Sequence, residues 1–160
     1  MNYSIDCEFN PVFDQIQSVE EAADIINRPH EDYPRRSNDT AIAINQLSSL
    51  LELGVHNGNK VSNIHLYTVH NIIFSDVHFR GRWRTVDVVV SDYKPPMASL
   101  VPSLMSDLEK MEITSLEALR AWYKDFECIH PFQDGNGRVG GVVYTVFAKF
   151  LFNIMEAPIQ

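Results

Sequence analysis

The sequence predicts a mainly α protein, a compact helical bundle carrying a small β-hairpin flap. Apolar residues recur at helical spacing in six stretches, two of which open on capping boxes. The last of them, around residues 142–154, is apolar around much of its girth, as a central bundle helix is. Only Gly81–Val90 is different in kind, being β-branched and aromatic between turn formers.

Residues 1–17 alternate aromatic and polar types around Pro11 and read as an irregular arm. Ser18-Val19-Glu20-Glu21 opens a short helix with Ala22, Ile25 and Ile26 on one side, ended by Arg28-Pro29. Residues 1–37 thus form an arm and short helix, and 38–160 the main domain, within one compact unit. His30 to Asn38 is a polar linker and the candidate hinge. Asn38 or Asp39 caps a second helix to about Leu53, with Ile42, Leu47, Leu50 and Leu53 as its core stripe and Gly54 as its stop. Ser62 caps a third, with Ile64, Leu66, Val69, Ile73 and Phe74 inward, ending near Asp76. His65 and His70 on it lie five apart and share a face poorly, so a metal pair is not expected.

Residues 81–90 read as a strand or hairpin, with Arg80, Arg82 and Arg84 along one solvated face. After Pro95-Pro96 a helix runs from Ala98 to Met111, tolerating Pro102 in its first turn. Thr114-Ser115-Leu116-Glu117 opens the next, which carries Leu119, Trp122, Tyr123, Phe126 and Ile129 and delivers His130 at its end.

In 160 residues, 13 basic against 21 acidic side chains give a net charge of −8, which argues against nucleic acid or an anionic membrane as partner. Cys7 and Cys128 are far apart without metal-ligand spacing and read as reduced thiols. MNYSIDCEFN has no basic region before an apolar run, so no signal peptide is expected. A cytoplasmic location follows as the expectation, and delivery into a host cell is left open.

The chemistry concentrates in His130-Pro131-Phe132-Gln133-Asp134-Gly135-Asn136-Gly137-Arg138. An imidazole can take a proton at neutral pH, a carboxylate can hold a hard cation, and a guanidinium can clamp phosphate. The Gly-Asn-Gly turn opening a helix offers backbone N–H groups and a positive dipole end to an anion. Those parts suit a metal-bound phosphate ester and a nucleophile that must lose its proton.

These nine residues closely resemble the signature of the Fic family of nucleotidyl transferases, and residues 38–155 follow that family's order of elements. The resemblance implies transfer of AMP from Mg-ATP to a Ser, Thr or Tyr hydroxyl of a target protein. It implies His130 as general base, Asp134 on Mg²⁺, Gly135, Asn136 and Gly137 as an anion hole, and Arg138 on the β-phosphate. Arg82, Trp83, Arg84, Thr85 and Val86 would form the flap that registers an extended target segment by backbone pairing.

Three positions depart from that pattern. Gly141 stands where a second arginine contacts the terminal phosphate, a contact whose loss costs roughly 1.5–3 kcal/mol. Thr40-Ala41-Ile42-Ala43-Ile44-Asn45 has the frame of an inhibitory motif, Thr40 and Asn45 matching, but Ile44 replaces its glutamate. That glutamate and the second arginine form one ion pair, so their joint absence is coherent. Thr145 replaces an asparagine near the nucleoside. The alternatives are a catalytically weak Fic-fold binding module or transfer from another donor, and a small antitoxin-like partner could supply the missing glutamate.

Overall fold

The computed structural model describes residues 7–33 and 35–159. Within them six α-helices run in the order α1 (Val19–Asn27), α2 (Ser37–Glu52), α3 (Asn63–Ile73), α4 (Val101–Glu109), α5 (Leu116–Ile129) and α6 (Asn136–Phe152). Strands β1 (Val12–Gln15) and β2 (Glu156–Ile159) pair antiparallel near the two ends, Val12 opposite Ile159 and Gln15 opposite Glu156. No helix among the described residues is long and apolar enough to cross a membrane.

Helix α6 is the axis: every residue from Val139 to Ala148 is buried, and α1, α2, α3, α5 and β2 all pack on it. Its apolar girth is what lets five elements share it. Ser18, Ser62 and Ser115 cap α1, α3 and α5 by accepting the backbone N–H of Glu21, Ile64 and Ala118. Pro102 falls in the first turn of α4, where its missing N–H loses nothing.

The inward face of α2 differs from the predicted stripe. Thr40, Ala43, Ile44, Leu47 and Leu51 are buried, whereas Ile42 and Leu53 are exposed, as is Ile64 on α3. Small Ala43 lets α2 approach its neighbours closely, and Thr40 meets Asn27 of α1 through a 2.8 Å hydrogen bond, so side-chain size outranks hydropathy on this face. Arg36, not Asn38 or Asp39, precedes α2, without a side-chain cap.

Two expectations about β-structure change. The arm is not wholly irregular: residues 12–15 pair with 156–159, held by Arg120, which bonds Glu156 at 2.8 Å and lies over the Phe13 ring. Residues 1–6 of that arm lie outside the described residues. The flap, in turn, forms no ladder. Residues 81–93 run irregularly and close in one antiparallel bridge, Val90 with Tyr93, around a turn where Ser91 has φ 56°.

The cysteines are not the reduced thiols their spacing implies. Cys7 and Cys128 form a disulfide, their Cα atoms 6.0 Å apart across a separation of 121 residues. The arm crosses α5, with Phe9 and Phe13 against Tyr123, and that path brings Cys7 to Cys128. Sequence spacing carries no trace of it. The linker after α1 is likewise no free hinge, because Arg36 bonds Asp32, Asp76 and the Ile73 carbonyl.

Candidate active site

Helix α5 ends at His130, whose backbone is left-handed (φ 53°, ψ 60°) while its N–H still donates to the Phe126 carbonyl at 3.0 Å. For a side chain other than glycine this conformation costs of order 1 kcal/mol and persists only where its surroundings impose it. The break turns the chain out of the helix and into the loop. The ring hydrogen-bonds the Glu127 carbonyl, which engages one of its nitrogens. Burial, helped by the nearby Arg84 guanidinium, pushes the imidazole down to about 4 against the opposing effects of that bond and of Asp134. At neutral pH it is therefore uncharged and able to accept a proton.

The loop is braced from three sides. Asn136 is buried, and its amide accepts from the Phe132 N–H and donates to the Phe132 carbonyl, both at 2.8 Å. Phe132 is fully buried, stacked on His70 at 4.2 Å between centroids and tilted against Trp83 at 5.1 Å. His70 donates from Nε2 to the Asp134 carbonyl at 3.1 Å and accepts the Gly81 N–H on Nδ1 at 2.9 Å. That pair of bonds needs a neutral ring, and burial, the largest influence, does hold it down to about 4. His65 makes a different contact, donating to the Val55 carbonyl at 2.9 Å.

Gly135 caps α6 with φ 86°, and a Cβ there would clash with the edge of the Phe74 ring, so only glycine fits. With no capping side chain, and Val139 the first N–H to bond back to Gly135, the N–H groups of Asn136, Gly137 and Arg138 open the helix toward an anion. The Asp134 side chain is 66% exposed and accepts the Gly135 N–H at 2.8 Å. Arg138 is buried over the Phe74 ring and pairs through Nη1 with Asp32 at 2.5 Å, while its Nε has no partner. Burial would raise Asp32, but hydrogen bonds from Arg138 and Arg36 outweigh it and hold the carboxyl at about 2.

These residues fit a magnesium-bound nucleotide. Three N–H groups and an orphaned guanidinium nitrogen face the needs of phosphate oxygens, and an exposed carboxylate suits a largely hydrated cation. Among the described residues no group of three or more His, Cys, Asp or Glu could hold a metal ion by itself, and Asp134 is the residue that would hold a cation.

Residues 60–148 match the family model described as Fic/DOC family. The chain belongs to the Fic/DOC family. Solved Fic structures share its fold. One is a Fic family protein from Desulfovibrio desulfuricans, 24% identical, TM-score 0.57, covering 86% of this chain and 44% of its own. Another is Fic-1 from C. elegans, 18% identical, TM-score 0.53, covering 83% and 43%. A third is BepC, a VirB-translocated effector of Bartonella tribocorum with bound AMPPNP, 13% identical, TM-score 0.51, covering 78% and 71%. The chain thus spans less than half the length of the first two. Among curated proteins none matches it.

Several motif residues do something other than their family counterparts imply. The Asn136 side chain is spent on Phe132, leaving only its backbone for an anion. Arg84 is buried, not part of a solvated face, and its N–H donates to the Pro131 carbonyl at 2.8 Å, so it offers no free edge to a target. Thr85 and Val86 are exposed, Arg82 reaches back to the His78 carbonyl, and Trp83 packs on Tyr67 and Phe132. Ile44 sits in the core, Asn45 is exposed, and Thr145 donates to the Gly141 carbonyl at 2.7 Å. Gly141 is enclosed: a Cβ there would stand 3.1 Å from Ile26 of α1.

Beside His130 lies a cavity of about 550 Å³ lined by Cys7, Glu8 and Phe9 of the arm, Val90, Asp92 and Tyr93 of the hairpin, and Glu127. The Oε1 of Glu127 is sealed from solvent without a hydrogen-bond partner, and burial pushes its carboxyl up to about 8. Sequence reasoning missed Glu127, although one helical turn before His130 was a readable signal. Asp32 left none.

Proposed function

We propose that this protein is an adenylyltransferase that moves AMP from Mg-ATP to a Ser, Thr or Tyr hydroxyl of a target protein. The observation that carries the reading is a neutral imidazole, oriented through the Glu127 carbonyl, on the loop that leads into the open N-terminus of α6. His130 takes the hydroxyl proton. The target oxygen bonds to the α-phosphorus, and the bond to the pyrophosphate leaving group breaks. The N–H groups of Asn136, Gly137 and Arg138 stabilise phosphate charge, and Asp134 holds Mg²⁺, which would draw charge from the phosphates. The exposed stretch at Thr85 and Val86 receives the target segment, while Arg82, Trp83 and Arg84 anchor the flap to the fold.

A second reading, a Fic-fold binding module with a weakened nucleotide site, is favoured by one arrangement. Asp32 already occupies Arg138, and Ile26 abuts the position of the second arginine. Lysate treated with a tagged ATP analogue separates the two. Labelled proteins that vanish with His130→Ala support transfer. No label with any nucleoside triphosphate, together with no stabilisation of the protein by Mg-ATP against heat, supports the module.

A further inference from the structure

Arg84 stands out because it is 3% exposed, and the hydrogen-bond acceptors of its guanidinium are all backbone carbonyls. Nε donates to the His130 carbonyl at 2.7 Å, and Nη2 to Ile129 at 3.2 Å and Pro96 at 2.5 Å. Nη1 donates to Val86 at 2.9 Å. Its own N–H takes the Pro131 carbonyl. One residue thus holds three successive carbonyls, 129 to 131, across the left-handed break at the end of α5. A planar fork with five donors in fixed directions can do this; an ammonium cannot reach the same set. The bonds leave a full positive charge at the carbonyl end of α5, close to the imidazole.

We infer that Arg84 is the positioning residue of His130: it fixes the left-handed backbone that aims the imidazole and supplies the one cation facing it among the described residues. The inference rests on His130 being the proposed base. Of the other titratable groups around the ring, Asp134 draws it toward the charged form, and the rest line the cavity beside it. Asp134 comes from the loop, Glu8 from the arm, Asp92 and Tyr93 from the hairpin, and Glu127 from α5. Without Arg84 only burial opposes the charged form, and the ring charges more easily.

The test follows the His130 imidazole by NMR titration, assigned by difference with His130→Gln, in wild type, Arg84→Gln and Arg84→Lys. Arg84→Gln should raise the His130 midpoint from about 4. A rise of about one unit is the scale expected for a neighbouring charge removed from a largely buried ring. It should also move the Cα shift of His130 away from its left-handed value. Arg84→Lys keeps the charge and should hold the midpoint near wild type. Since it cannot grip all the carbonyls, it should lower kcat about tenfold or more at an unchanged KM for ATP. If Arg84→Gln does not fold, Arg84→Lys decides by the Cα shift and the kcat change. A folded Arg84→Gln with the wild-type midpoint and Cα shift overturns the inference, as does Arg84→Lys with the wild-type Cα shift and wild-type kcat. Wild type without turnover defeats the transfer reading instead, and the titration and Cα shift still judge Arg84.

Discussion

At the scale of single residues, the ionisable groups of the site other than the exposed Asp134 are buried or half-buried and held neutral or firmly paired. Glu127 and the two histidines give opposite pH signatures. A carboxyl raised from 4.5 to about 8 stays protonated in the native state while the unfolded chain ionises, so stability falls as pH rises between those values. His70 and His130, lowered from 6.5 to about 4, stay neutral while the unfolded chain takes up protons, so stability falls as pH drops through that window. Between about pH 6.5 and 8 only the glutamate slope survives of these three. Glu127→Gln should therefore flatten the stability curve there, gaining about 2 kcal/mol on wild type between pH 6.5 and 8, measured by urea unfolding at each pH. A mutant curve parallel to wild type would mean that Glu127 ionises freely in the native state.

At the scale of elements, the positions next to the phosphate motif are set by what packs behind α6. Gly141 reads from the sequence as a lost arginine, which implies that restoring arginine would strengthen nucleotide binding. The packing around Gly141 argues for a different outcome. A Cβ at Gly141 would stand 3.1 Å from the Ile26 side chain of α1, so Gly141→Arg crowds Ile26 and buries an unpaired charge. It should destabilise the fold by about 3 kcal/mol or more, seen as a lowered Tm, without tightening ATP binding. Unchanged Tm with tighter binding would show that α1 yields easily. The motif loop itself was legible because its chemistry is contiguous, nine residues from His130 to Arg138. The helices were legible because their periodicity and serine caps act locally. What stayed hidden acts across the chain: Asp32 meets Arg138 over 106 residues, and a polar fork at 84 serves carbonyls 45 or more residues away. β2 was hidden for a different reason, being four residues long with Pro158 inside it, too brief to show alternation.

At the scale of the whole molecule, both ends of the described chain are tied to the bundle. The β1–β2 ladder closes one tie, and the Cys7–Cys128 disulfide closes another, two residues before His130. That bond joins the arm wall of the cavity to the helix that ends at His130. A loop this long restricts the unfolded chain strongly, and reduction should lower unfolding free energy by about 3–5 kcal/mol. Chemical denaturation with and without dithiothreitol measures it, and alkylation under native conditions should modify neither cysteine until reductant is added. Ready alkylation of both without reductant would restore the reduced-thiol expectation.

In the proposed reaction the loop transfers the α-phosphoryl group with its nucleoside. ATP labelled at either the α- or the γ-phosphate, incubated with the protein, Mg²⁺ and lysate, tests it most directly. Label from the α-phosphate should remain on protein hydroxyls, label from the γ-phosphate should leave as pyrophosphate, and both signals should disappear in His130→Ala. Retention of the γ-label on protein, or α-labelling that persists in His130→Ala, would contradict the account.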